Sequence, residues 1–222
     1  MKKLISLMFF LIIVSLIPME SIASESNFLE LNEPSQFKNT SLLLNAEELG
    51  RQQYEKIYSI SEKPSADVCT GQVPESFLKP GQNTQSIFFK RFSKQDTLEA
   101  TVLKTGESIV INSHACDYYS ISFRIAFKDL PSSLSNTTFW FEKTAQALRD
   151  LNGISRGRSE FDLLSMAKRL DAEILKKKSF RDFPMVLHGD EDFKIVFEFL
   201  RVGYLPDKNG SFVEFAFYEG PL

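Results

Sequence analysis

The chain has 222 residues, 43% of them hydrophobic, and a formal net charge of −3 at neutral pH. That length accommodates one domain, or two small ones, with a substantial buried core. A mildly acidic balance argues against non-specific nucleic-acid binding, which depends on Lys and Arg neutralising phosphates.

Lys2 and Lys3 precede an apolar run from Leu4 to Ile17, which Pro18 breaks ahead of Ser21-Ile22-Ala23. A short basic start, an apolar core and a small-x-small site predict a secretory signal peptide over residues 1–23. The run is shorter than the roughly 20 residues a membrane-spanning helix needs. The expected product starts near Ser24, carries no stable membrane anchor and resides in the periplasm or exterior of a bacterium. Without Lys2, Lys3 and Glu20, it holds 24 basic and 28 acidic residues, a net charge of −4. Cys69 and Cys116 are the only cysteines, and in an oxidising compartment an isolated pair is expected to form one disulfide. That bridge would close a loop of about 48 residues, worth on the order of 4 kcal/mol in chain entropy.

Residues 24–40 are polar and irregular, with Pro34, and predict a flexible entry. From residue 41 to 222 a single domain is expected. Leu43, Ala46, Gly50, Tyr54 and Ile57 recur at helical spacing, which predicts a helix over about 41–58, weakened by Gly50. Residues 61–85 hold Pro64, Pro74, Pro80, Gly71 and Gly81 and predict a long loop, tethered by Cys69. Then come strands: Ile87 to Phe92, a hairpin of Leu98 to Leu103 and Ser108 to Asn112 turning at Thr105-Gly106, and Tyr118 to Phe127. The last alternates strictly, with Tyr119, Ile121, Phe123, Ile125 and Phe127 on one face and Ser120, Ser122 and Arg124 on the other.

Two helices follow. In the first, Trp140, Thr144, Ala147 and Leu151 share one stripe, with Asn152-Gly153 as the expected stop. In the second, Ser159 is the expected cap with Asp162 at the box position, and Leu163, Ala167, Leu170 and Ile174 form the apolar face. Lys176-Lys177-Lys178 closes it. Cations there are favoured by the helix dipole, and they also offer a contact to acidic lipid or protein. Met185 to Leu187 reads as a short strand, and Phe193 to Tyr204 with Phe212 to Tyr218 as a hairpin turning at Asp207-Lys208-Asn209-Gly210, where Asn-Gly is the hairpin signal. Apolar residues on both faces of the first hairpin strand predict a position in the middle of the sheet. The expected fold is α+β: an antiparallel β-meander, two helices packed on the sheet and a C-terminal β-hairpin. Twenty-one phenylalanines predict an aromatic core, because Phe can be buried without a hydrogen-bond partner.

Chemistry has fewer signals. His114 and His188 are the only histidines, and with no HExxH, CxxC or EF-hand loop no metal or other cofactor is expected. Asp190-Glu191-Asp192 beside His188 is read as a polar turn rather than a cation site. Neither a P-loop nor GxGxxG nor GxSxG occurs. Ser113-His114-Ala115-Cys116 resembles the Ser-His-Gly-Cys segment of the L,D-transpeptidases, envelope enzymes with a cysteine nucleophile acting on peptidoglycan. The likeness spans four residues. Ala115 stands where that family has glycine, Asp117 and Tyr118 replace an aliphatic residue and an arginine, and no upstream histidine completes the family's paired motif. The resemblance implies Cys116 as nucleophile; apart from it, Cys69 or Cys116 is a candidate nucleophile with His188 as base, but cysteines bridged to each other could not serve, and His114 would then be a strand-edge residue near the disulfide. Glu198 and Glu214, on the two strands of the C-terminal hairpin, are a second candidate pair for acid–base work. An Asn-Gly two-residue turn would set Glu214 opposite Leu205, far along the ladder from Glu198, and Arg124 or Arg201 would then be the natural partner of a buried glutamate.

The resulting expectation is a non-catalytic exported protein that binds another envelope or secreted protein, as an inhibitor, immunity or accessory factor. A cysteine- or carboxylate-dependent peptidoglycan enzyme and a carrier of a small apolar ligand are the alternatives.

Overall fold

Alternating side chains make strands whose apolar faces must be covered, and here one antiparallel sheet is covered on both sides. The computed structural model describes residues 28–31, 35–42, 45–61, 74–116, 118–156, 161–189 and 194–220. The expected signal peptide and Cys69 lie outside the described residues. In chain order the elements are β1 (Phe28–Glu30), α1 (Ala46–Ser61), β2 (Thr84–Arg91), β3 (Asp96–Leu103), β4 (Ser108–Ala115), β5 (Tyr119–Phe127), α2 (Thr137–Ile154), α3 (Leu163–Leu175), β6 (Met185–Gly189), β7 (Lys194–Tyr204) and β8 (Ser211–Gly220). The strands lie in the order β1-β7-β8-β5-β4-β3-β2, with β6 beside the first half of β7. This is the α+β architecture expected: the meander β2–β5, two helices, and the hairpin β7–β8. No described helix is long and apolar enough to cross a membrane.

The two faces of the sheet are built differently. On one, Trp140, Phe141, Leu148 and Leu151 of α2 and Leu163, Met166 and Leu170 of α3 pack on Ile111, Phe123, Ile125, Phe197, Phe199, Phe215 and Phe217. The rings meet each other directly: Phe123 stacks on Phe215 at 5.0 Å, Phe141 on Phe199 at 5.3 Å, and Phe197 meets Phe217 edge-on at 5.2 Å. On the other face, Leu49 and Ile57 of α1 pack with Phe37 against Leu98, Ala100, Val102 and Val110. Gly50 explains how α1 comes so close. A Cβ there would fall 2.2 Å from the Phe88 ring, so glycine's low helix propensity is exchanged for contact between the helix backbone and β2.

Several expectations are corrected. Residues 28–30 and 35–40, read as part of a flexible entry, are tied down: β1 pairs with β7, Phe37 is fully buried, and Gln53 of α1 bonds both the N–H and the carbonyl of Lys38 at 2.8 Å. α1 starts later than expected, at Ala46, because the Asn45 side chain accepts from the Glu48 N–H at 2.8 Å and caps it. α2 runs through Gly153 to Ile154. α3 is capped by Asp162, whose carboxylate accepts from the Ser165 N–H; Ser159 lies outside the described residues. β7 is not central. It has β8 on one side and β6 and β1 on the other, and its two buried faces come from helices on one side and the N-terminal segment on the other. The hairpin turn includes the expected Asp207 to Gly210 but begins two residues earlier: Tyr204 faces Ser211, and the Leu205 N–H donates to the Gly210 carbonyl at 2.9 Å. Gly210 is required by proximity, since a Cβ there would lie 2.1 Å from the Phe127 carbonyl oxygen.

Candidate functional site

Strand alternation sends the residues of the Ser113–Cys116 segment in opposite directions. Ser113 is fully buried and its Oγ makes no hydrogen bond. His114, about one-third exposed, turns to the other face, where its Nδ1 lies 2.8 Å from Oδ1 of Asp96, its register partner on β3. The Ser93 hydroxyl donates to the second Asp96 oxygen at 2.8 Å. On the far side His114 faces Ser120 of β5. A carboxylate held against Nδ1 fixes the orientation of the imidazole ring. Cys116 follows as a half-buried residue that is not a free thiol.

His188 is not brought to this place. Its backbone pairs with Ile195, which faces Glu219, which faces Tyr119, which faces Ala115. Four strand spacings of roughly 4.8 Å put β6 about 19 Å from β4 along that row. No side chain of His188 bridges such a gap to Cys116. Asp190, Glu191 and Asp192 lie outside the described residues, and among the described residues no group of His, Cys, Asp and Glu is arranged to hold a metal ion.

The long turn, with Tyr204 facing Ser211, sets Glu214 opposite Arg201 rather than Leu205, with Arg124 opposite it on β5. A bulge between Phe199 and Arg201 then shifts the rest of the ladder, which carries Glu198. Its Oε1 accepts from Arg201 at 3.0 Å and also from Arg124. Both guanidiniums lie over the Phe212 ring, Arg124 at 3.6 Å and Arg201 at 5.0 Å, and the second Arg124 nitrogen donates to Asn39. Burial lowers the Arg124 pKa to about 10 against the opposing pull of Glu214, so it is charged at neutral pH. Nearby Lys56, its pKa lowered by burial and then by Arg201, donates to the carbonyls of Ser35 and Phe37 at 2.7 and 3.0 Å. Glu198 faces Ala216, two residues from Glu214. The two glutamates are therefore nearer than the sequence reading expected, but Glu214 is sealed from solvent. It ties the N-terminal segment to the sheet, and a substrate cannot reach it.

Glu99 was not singled out by the sequence. Fully buried on β3, it accepts from the backbone N–H of Phe77 at 2.6 Å and of Leu78 at 3.0 Å, and from the Ser76 hydroxyl at 2.8 Å. Burial raises its pKa despite these bonds. A glutamate amid the apolar strand residues Leu98 and Ala100 was the only available hint.

An accessible concavity lies elsewhere, between α1 and β2, which pairs only with β3 among the described residues. This groove of about 560 Å³ is lined by Lys38, Glu48, Arg51, Tyr54, Phe88 and Lys90, among others. Tyr54 stacks on Tyr58 at 5.3 Å and on Phe92 at 5.0 Å, and the Lys90 ammonium sits 3.7 Å above the Tyr54 ring. Glu48 holds Gln52 and Arg51 along the rim. The groove thus combines an edge strand, stacked aromatic rings and charges of both signs, which are the ingredients of protein recognition. Its sequence signal was Gly50, an apparent defect in a helix that becomes a contact once β2 is beside it. Comparison with protein-family models, curated proteins and solved structures finds no match to this chain.

Proposed function

We propose that the protein is exported and works by contact, as an inhibitor, immunity or accessory factor, presenting the α1–β2 groove to an envelope or secreted protein. The observation that carries this reading is the groove itself: an accessible, mixed-charge, aromatic-floored cleft at a sheet edge. Export rests on the pattern of residues 1–23, and a Cys69–Cys116 disulfide belongs to the same proposal. The catalytic alternatives draw less support. Asp96 orients the His114 ring, but a bridged Cys116 cannot attack, and Glu214 is enclosed. The carrier alternative would need space in a core whose rings pack directly on one another.

The test places a photo-crosslinking amino acid at Gln52 in the groove and, separately, at exposed Glu142 on α2 as a control. The expected result is a covalent adduct to one exported protein from Gln52 alone, abolished by Arg51→Glu with Lys90→Glu. Adducts from both positions, or from neither, would defeat the assignment. Intact mass checks the rest: a chain starting at Ser24 and lighter than its reduced form by the two thiol hydrogens is expected. Two free thiols, with peptidoglycan hydrolysis lost in Cys116→Ser, would establish the cysteine enzyme instead.

A further inference from the structure

Between Leu164 and Lys178 the chain carries five basic and two acidic residues, a local excess of positive charge on a net-acidic protein. Both acids are matched: Asp171 pairs with Arg149 of α2, and Glu173 with Lys176 at 2.9 Å. Lys168 and Lys177 are exposed and form no ion pair among the described residues. Basic residues at a helix C-terminus are explained by the dipole. Leucine in the same place is not. Leu175 is 86% exposed and Leu164 42%, and eleven residues of α-helix put them on nearly the same line of α3, about 16 Å apart, with Lys168 between them. Val186, 51% exposed on β6, stands at the flank of this face. Arg169 of α3 reaches the carbonyls of Val186 and Leu187 at 3.1 Å each and fixes the strand there.

We propose that the outward face of α3, from Leu164 to Lys178, is a docking surface for an anionic lipid bilayer. The inner face of α3 is occupied by Leu163, Met166, Ala167 and Leu170 in the core, while the outer leucines are left exposed among the described residues. A bilayer interface accepts both features together: lipid phosphates take the lysines, and the headgroup–acyl boundary takes the leucines. An acidic polypeptide would match the lysines and leave the leucine line unexplained. The contact is peripheral and reversible, and it leaves the α1–β2 groove on the opposite side of the sheet free for a partner.

The experiment is co-sedimentation of the mature chain with vesicles of equal parts phosphatidylglycerol and phosphatidylcholine, against pure phosphatidylcholine. Binding to the anionic vesicles alone, weakening as salt is added, is the expected result. A lysine at an anionic surface is worth about a five-fold gain in partitioning, so Lys168→Gln with Lys177→Gln lowers binding about 25-fold. Leu175→Ser lowers it about ten-fold or more. All three positions are exposed, and thermal melts matching the parent confirm that the fold is kept. No sedimentation of the parent chain with anionic vesicles would overturn the proposal, as would binding indifferent to these substitutions. Binding to acidic polypeptide but not to vesicles would overturn it in favour of a protein contact.

Discussion

The two faces of the sheet bury comparable strands by opposite means. Beneath α2 and α3, phenylalanine rings pack ring on ring, and buried Glu99 at the margin is met by backbone N–H groups and a hydroxyl rather than by a counter-charge. Beneath α1 and the N-terminal segment, two arginines share one glutamate, and Asn39, Gln53 and Lys56 complete the network. An apolar face depends on volume and tolerates exchange of one hydrophobe for another. A buried ionic face depends on every partner being present, because the loss of one strands a charge. The Phe face therefore sets how stable the domain is, while the polar face sets how the N-terminal segment is held.

Four measurements sharpen or break that contrast. The largest effects should be Phe199→Ala and Glu214→Ala, each costing about 3–5 kcal/mol in denaturant unfolding. Their near-isosteric versions separate the faces. Phe199→Leu should cost less than about 1.5 kcal/mol, whereas Glu214→Gln should still cost more than about 2 kcal/mol, since two guanidiniums remain buried without a counter-charge. Equal small losses for both would remove the distinction. Next is Gly50→Ala on the polar side. Helix propensity alone favours alanine by about 1 kcal/mol, but the clash with Phe88 should turn the outcome into a loss of about 1–3 kcal/mol. A stabilised variant would mean that Phe88 moves aside freely.

Smaller again is Asp162→Ala, on the aromatic side, which removes the α3 cap and should cost about 1 kcal/mol. The finest is a pH slope. Burial raises Glu99 above its ordinary 4.5, so the folded state binds the proton more tightly than the unfolded one, and stability from this group falls as pH rises from 4.5 through the folded value. In Glu99→Gln that contribution should vanish, so the difference in unfolding free energy, parent minus variant, should fall as pH rises across mildly acid pH; a flat difference would remove the assignment.

Much of the fold was legible because strand alternation and helical stripes are local. β5 was expected over 118–127 and occupies Tyr119–Phe127; the stripe of Trp140, Thr144, Ala147 and Leu151 lies buried on α2 as its spacing required. A buried glutamate paired with Arg124 or Arg201 was expected; that it is Glu214, bound by both arginines, was not. The bulge at Phe199/Arg201 and the six-residue turn shift the ladder, and neither has a sequence marker as strong as the Asn-Gly pair that suggested a tighter turn. The groove was missed for a related reason: it is made by α1 and β2, elements more than twenty residues apart that meet through one glycine.

The sequence by itself determined the element types, the aromatic composition of the core and the scarcity of nucleophiles and metal ligands, all of which follow from residue identity and short-range period. Tertiary structure alone decided that β8 lies between β7 and β5, that His188 is about four strands from Ala115, and that Arg124, Arg201 and Glu214 meet. It also decided that Phe37 and Thr40 are buried. Strand order and register depend on contacts between residues far apart in the chain, whose selection turns on how whole faces are covered rather than on any local preference.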